Sequence, residues 1–331
     1  MKKAKMLVAI LSLAMLTACG GTAVESTSKT DGDATVKETE VKENEVKTPE
    51  AVDKVYKIGE RVVVEDKYAI TLLSIKATDQ RNEFSETEVS QVLIIDYLYE
   101  NLTNSEEDIY ISDYNFKIVD SGGNMMDSYP ILGIYVPAYT PVGAKSLSSM
   151  VYGTITESKS VKILYYDNFF SSDAIAEFEL NIGDTVEYSL EGTLPTYNKM
   201  YKVGDIIEIK TNEGDYTLSI DKVEKTSDRN QFDESNPADV YMITYTYSNI
   251  SLADNLYISE SDFGLVDSTG TMGFSYPGSM NKYPNETVKG AKCTAEMTLA
   301  SHTSGNQLIL TYRDNFFSDS ADVYIVVDKI N

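Results

Sequence analysis

Beyond residue 50 the apolar positions fall in short runs rich in Val, Ile, Leu and Tyr, separated by clusters of Gly, Asn, Asp and Pro. That pattern predicts strands over 68–76, 91–101, 161–166 and 176–180, and no long segment carries the apolar spacing of an amphipathic helix. The strand at 91–101, QVLIIDYLYEN, has a counterpart at 240–249, VYMITYTYSN. One alternate set agrees between them: Ile95, Tyr97, Tyr99 and Asn101 match Ile243, Tyr245, Tyr247 and Asn249. The other drifts, Ile94, Asp96 and Leu98 against Met242, Thr244 and Thr246. Side chains on a strand alternate between faces, so the matched set is expected in a core and the drifting set toward solvent or a neighbour.

The repetition runs through the whole region. Tyr56-Lys57-Ile58-Gly59-Glu60 matches Tyr201-Lys202-Val203-Gly204-Asp205, and Thr78, Arg81, Asn82 and Phe84 match Thr226, Arg229, Asn230 and Phe232. FKIVDSGG (116–123) matches FGLVDSTG (263–270), Ser128-Tyr129-Pro130 matches Ser275-Tyr276-Pro277, and Gly143-Ala144-Lys145 matches Gly290-Ala291-Lys292. The word DNFFS, at 167–171 and again at 314–318, falls in the same register. Asp-Asn suits a turn, and of Phe169-Phe170, as of Phe316-Phe317, one ring is expected to plug the sandwich end and the other to cover the loop. About seven or eight short strands per copy point to an all-β fold, two tandem immunoglobulin-like β-sandwich domains at 51–194 and 197–331. The seam EGTLPTYNK, 191–199, reads as a polar join, and the second copy is expected to fold alone.

The first fifty residues belong to neither copy. Lys2, Lys3 and Lys5 precede an apolar run, Met6 to Met15, too short to span a bilayer and followed by Leu16-Thr17-Ala18-Cys19. The tetrad resembles the lipobox of bacterial lipoproteins, which implies a signal peptide at 1–18 and a lipidated Cys19 that ties the chain to the membrane, where two or more acyl chains give a stable anchor. Residues 19–50, rich in Glu, Lys, Thr and Ser and free of aromatics, read as a disordered tether. The implied location is the extracytoplasmic face of the cell membrane.

The domain itself resembles the bacterial immunoprotective extracellular immunoglobulin-like family of Gram-positive lipoproteins. The resemblance rests on the Tyr-Lys-x-Gly-acidic opening, the long strand ending in Asn101 or Asn249, the Val119-Asp120-Ser121-Gly122 phrase with its copy at 266–270, and the late turn into Gly-Ala-Lys. It implies an extracellular β-sandwich, and its motifs specify fold rather than chemistry.

Charge narrows the partners. The chain carries 28 Lys and Arg against 52 Asp and Glu, a net −24. Loss of the three signal-peptide lysines leaves 25 against 52, or −27. Such a field repels nucleic-acid phosphates and anionic headgroups. Cys293 is the only cysteine after Cys19, so no intrachain disulfide is expected.

Catalytic signals are sparse. His302 is the only histidine, and in the repeat register it matches Ile155 while Cys293 matches Ser146, a poor setting for a nucleophile and its base. Asp120-Ser121-Gly122-Gly123-Asn124 lacks the spaced ligands and distal Glu of a calcium loop and reads as a β-turn. No motif for a metal or organic cofactor is present, so none is expected. Asn101-Leu102-Thr103 and Asn285-Glu286-Thr287 read as turns. What remains is surface: the loops 127–143 and 274–290 gather Tyr, Pro and Gly, and Tyr129, Tyr135, Tyr139, Tyr276 and Tyr283 are the candidate ligand-binding residues. The expected function is a non-enzymatic binding or scaffold module for a protein or cell-wall ligand, with the two Tyr-Pro loops as equivalent patches. A transporter's solute-binding lipoprotein and an extracellular hydrolase are the alternatives.

Overall fold

Alternation of apolar and polar residues is realised as strands throughout. The computed structural model of the chain describes residues 54–131, 135–168, 171–315 and 318–330. Cys19, the tether and the four phenylalanines of the DNFFS words therefore lie outside the described residues.

The first copy contains β1 (Val55–Tyr56), β2 (Arg61–Val64), β3 (Tyr68–Thr78), β4 (Gln91–Asn101), β5 (Phe116–Asp120), β6 (Met125–Ser128), β7 (Lys145–Thr154), β8 (Ser160–Tyr165) and β9 (Ala176–Asn181). The second repeats the series as β10 (Tyr201–Lys202), β11 (Ile207–Lys210), β12 (Asp215–Thr226), β13 (Asp239–Asn249), β14 (Phe263–Asp267), β15 (Phe274–Ser275), β16 (Lys292–Ser301), β17 (Leu308–Tyr312) and β18 (Val323–Val327). Among the described residues the only helical pieces are two 3₁₀ turns, Asp113–Asn115 and Glu260–Asp262. The chain is an all-β protein of sandwich type.

Both copies share their pairing rules. The first strand runs parallel to the last, Val55 opposite Glu177 and Tyr201 opposite Ile325, and the other ladders are antiparallel. Each carries an irregularity at the same place, between Leu72 and Ser74 in β3 and between Ile220 and Lys222 in β12. They differ at one joint. In the first copy β6 bonds to β5 on one side and β7 on the other, so both layers form one sheet ordered β1-β9-β8-β5-β6-β7-β4-β3-β2. In the second, β15 pairs with β16 alone, and the layers stay separate as β10-β18-β17-β14 and β11-β12-β13-β16-β15.

The matched alternate set is the core: Ile95, Tyr97 and Tyr99, like Ile243, Tyr245 and Tyr247, are fully buried. A buried tyrosine must bond its hydroxyl, and these use theirs to hang loops. Tyr97 donates to the Ile111 carbonyl at 2.8 Å and Tyr245 to that of Ile258 at 2.9 Å, while Tyr99 and Tyr247 take the backbone of Ala138 and Asn285. The drifting set is half-buried except for Asp96, which is buried because Ser74 and Ser149 on the flanking strands both donate hydroxyls to it. Two distinct apolar cores result, one per copy.

The described residues of both copies nevertheless belong to one compact unit. The seam expected as a polar join is packed: Leu194 and Tyr197 lie against an apolar cluster of Ala144, Val266, Met272 and Ile309 drawn from both copies. Gly192 sits where a Cβ would come within 2.3 Å of the Thr269 carbonyl, so this position needs glycine. Lys145 of β7 exchanges backbone bonds with Gly270 and Met272 of the second copy, at 2.9 and 2.8 Å.

Candidate binding cleft

The repeated Thr-x-x-Arg-Asn-x-Phe word is a device for presenting one side chain. After β3, Arg81 donates to the carbonyls of Thr78 and Gln80, both at 2.8 Å, which curls the chain back. Asn82 then donates to the Pro130 carbonyl at 2.6 Å, and its Oδ1 accepts from Phe84 N at 2.9 Å. After β12, Arg229 bonds Thr226 and Asp228, and Asn230 bonds Pro277 and Phe232 N in the same way. With the loop held by its Arg and Asn, the phenylalanine has nowhere inward to go: Phe84 is 88% exposed and Phe232 83%. Both copies thus present a large apolar ring to solvent at the same place in the repeat.

Both phenylalanines line one cleft of about 940 Å³ between the copies. Tyr135, Val136 and Tyr139 of the first Tyr-Pro loop form one wall, and β14 with the Met272–Ser275 segment forms the other. His302 stands at the joint, its ring 5.3 Å from Tyr135 and 4.8 Å from Phe274. Burial holds the His302 pKa below the usual imidazole range. Arg313 lies over the Tyr139 ring at 4.4 Å and forms an ion pair with Asp108 of the first copy, with both side chains largely buried. Its other nitrogen donates to the carbonyls of Ser318 and Ser320. Burial raises the Asp108 pKa to about 6 against the pull of Arg313.

Acidic groups dominate the charge of the lining. Glu83, Asp233, Glu234 and Asp262 line the cleft. Asp262 also caps its 3₁₀ turn by accepting from Ser259 N at 2.7 Å, and burial raises its pKa.

The sequence-predicted site residues separate into three groups. Tyr129 and Tyr276 are buried, 6% and 3% exposed, and their hydroxyls accept from the backbone of Asn82 and Asn230 at 3.1 and 2.7 Å. They are loop anchors rather than ligand contacts, because burying the ring against its own sandwich satisfies both its apolar face and its hydroxyl. Tyr135 and Tyr139 do line the cleft, although both also pack on the second copy. Tyr283 is 66% exposed and stands away from the cleft lining. The two Tyr-Pro loops therefore do not meet the cleft equivalently: the first lines it with Tyr135, Val136 and Tyr139, the second only with Phe274 and Ser275 at its start. Phe84 and Phe232 were legible only as markers of repeat register. The signal for their role is that a large apolar residue persists in a loop whose other repeated residues are polar.

Other candidates resolve into structure. Cys293 and His302 are nine positions apart along β16 and the residue after it, which at ~3.3 Å per residue separates them by ~30 Å. Asp120 forms the expected turn. Burial opposes its charge, but bonds from Thr156, Asn124 and Thr154 outweigh that and hold its pKa below the usual carboxylate range. Among the described residues no group of His, Cys, Asp or Glu is arranged to hold a metal ion, and no helix is long and apolar enough to cross a membrane.

No protein-family model matches the chain, and comparison with curated proteins gives no match. Among solved structures it is similar to a candidate lipoprotein (ycdA) from Bacillus subtilis, at 8% identity and a TM-score of 0.29 over 36% of this chain and 37% of that one. It is also similar to MPT63, a secreted protein of Mycobacterium tuberculosis, at 12% identity and a TM-score of 0.29 over 40% of this chain and 98% of that one. The match thus spans little more than a third of the Bacillus protein's length.

Proposed function

We propose that the protein is a membrane-anchored, extracytoplasmic lipoprotein that binds a protein or cell-wall ligand, without chemistry, in the cleft between its two copies. The observation that carries this reading is the pair of presented rings, Phe84 and Phe232, at equivalent loops on one cleft. Exposing two such rings to water costs solubility, and both loops use the same set of hydrogen bonds to do so, which favours a contact that covers them. The lipobox-like tetrad before Cys19 and the aromatic-free tether support the location. The family resemblance read from the strand and turn motifs supports it too. The commitment of Arg313 to Asp108, and the wide separation of Cys293 from His302, support binding over catalysis.

The test is retention of the protein on isolated cell-wall sacculi and, as a separate arm, on purified envelope proteins. The Phe84→Ser, Phe232→Ser double variant should lose at least about tenfold in retention on one of them, while its stability changes by no more than about 0.5 kcal/mol because both rings are exposed. Tyr283→Ser should change neither. Full retention by the stable double variant would remove the cleft from consideration. For the anchor, Cys19→Ala should release the protein from the membrane fraction.

A further inference from the structure

The contact between the copies is head-to-tail, one face of the first against a different face of the second. The first contributes Asp108, Tyr135, Tyr139, Ala144 and Lys145, and the second Val266, Met272, His302 and Arg313. The repeat register is constant from Asp108 and Asn255 to Asp167 and Asp314, so each copy carries counterparts of both faces and uses only one. The unused face of the first copy has Met125 55% exposed where Met272 is 4%, and Ile155 63% exposed where His302 is half-buried. The unused face of the second exposes Asn255, Lys282, Glu286 and Lys292, with Tyr257 and Val288 exposed next to the Leu256–Thr287 bridge.

Taken in repeat register, the two unused faces complement each other. Tyr139 lies over Arg313 in the existing contact. Their counterparts are Glu286 and Tyr166, and the Tyr166 ring carries the Lys117 ammonium at 4.3 Å. A carboxylate thus replaces the aromatic ring where a lysine covers the counterpart of the arginine, and the pairing stays attractive. Tyr135 against His302 becomes Lys282 against Ile155, a lysine stem on an apolar side chain. Ala144 against Val266 and Met272 becomes Ala291 against Val119 and Met125.

The backbone part of the contact does not depend on side chains. Lys145 N donates to Gly270 O, and Met272 N to Lys145 O. Met125 pairs with Val119 as Met272 bridges to Val266, so the Met125 N–H turns away from β5 as that of Met272 turns away from β14. Lys292 opens β16 well before Leu299 and Ala300, where β15 pairs, so its outer side is clear of β15.

A contact between two different faces passes from molecule to molecule when both faces are present on each. We infer that the protein self-associates head-to-tail, the second copy of one molecule docking through Glu286, Ala291 and Lys292 on Lys117, Met125 and Ile155 of the first copy of the next. The seam residues Leu194 and Tyr197 are already packed within each chain, so this contact is weaker than the one inside the molecule. The proposed lipid anchor favours it by confining the molecules to one surface. The inference does not depend on the cleft binding a ligand.

The test is sedimentation velocity of the full chain carrying Cys19→Ala, at physiological salt and from about 5 to about 500 μM. The sedimentation coefficient should rise with concentration. Glu286→Lys and Lys117→Glu lie at exposed positions, so thermal stability should hold, and each should weaken association at least about tenfold by setting like charges opposite each other. An equimolar mixture of the two variants should restore it, because each then meets the opposite charge on its neighbour. Met125→Ser, which changes no charge, should also weaken association. A sedimentation coefficient of the monomer at every concentration would overturn the inference. So would association that all three variants leave unchanged, or a mixture that associates no better than its components, since either result places the contact on another surface.

Discussion

At the joint between layers the first copy has Met126 and the second Gly273, and the two residues show how one position can change a sheet. Met126 pairs with Ile118 and buries its side chain in the first core. Gly273 is squeezed between β14 and β16, where a Cβ would lie 2.2 Å from the Ala300 carbonyl and 2.8 Å from Leu265. The Gly273 N–H still bonds the Leu265 carbonyl at 2.7 Å, and the next residue, Phe274, pairs with Ala300 of β16. The first copy thus joins its layers into one sheet through β6, while in the second the layers remain separate sheets linked by the Val266–Met272 bridge. A second pair of differences joins the copies. Asp108 stands where the second copy has Asn255, and Arg313 where the first has Tyr166; only with both changes does an ion pair cross between them.

Breaking that crossing pair should have the largest effect. Arg313→Met leaves the Asp108 charge buried and unpartnered and should cost about 3–5 kcal/mol at neutral pH by denaturant titration. Asp108→Asn combined with Arg313→Tyr, which gives each copy the other's residue, should cost less than Arg313→Met alone. A double variant at least as unstable would show that Arg313 acts through packing rather than through charge.

Changing the joint comes next. Gly273→Ala places a methyl group against backbone and should destabilise the second copy by about 1–3 kcal/mol. Met126→Gly should destabilise the first by about 2–5 kcal/mol through a cavity and lost strand propensity. Separate unfolding transitions in these variants would show that the copies are independent units, as their separate cores imply. One shared transition would show that the packed seam couples them.

Acidity sharpens the comparison further. The folded pKa of Asp108, about 6, lies above its usual value, so the native state binds this proton more tightly than the unfolded chain. Its stability contribution is full below pH ~4 and is lost as the pH rises through ~6, a change of about 2–3 kcal/mol. Asp108→Asn should flatten that part of the stability profile, and an unchanged slope would assign it to other carboxylates.

The smallest effect concerns the loop anchors. Tyr129→Phe and Tyr276→Phe each remove one bond to an Asn backbone and should cost about 1 kcal/mol apiece. Each also loosens the loop that presents a phenylalanine to the cleft, Phe84 for Tyr129 and Phe232 for Tyr276, which a ligand-retention assay would register as a small loss in either variant.

The β-strand words, the repeat and the core-facing set were legible in the sequence because they follow from local alternation: Tyr97 and Tyr245 could be placed inward from spacing alone. The turn at Asp120 was legible for the same reason, since its bonds are made within a few residues and to the adjacent strand. The site was legible only in part. Tyr135 and Tyr139 were singled out by composition, but the same composition nominated Tyr129 and Tyr276, whose hydroxyls satisfy a loop 47 and 46 positions away in the chain. Nothing local distinguishes a tyrosine that anchors its own loop from one that faces a partner.

What the sequence by itself determined was therefore periodic: strands, repeat, buried alternate positions and a strongly acidic surface. The tertiary structure decided where the copies touch. Asp108 and Arg313, 205 positions apart, meet only when both sandwiches are formed and docked. Gly273 can pass between β14 and β16 only because it carries no Cβ, which would meet the Ala300 carbonyl at 2.2 Å. Both depend on distances between segments far apart in the chain, and such distances are fixed by packing rather than by the alternation that makes each strand.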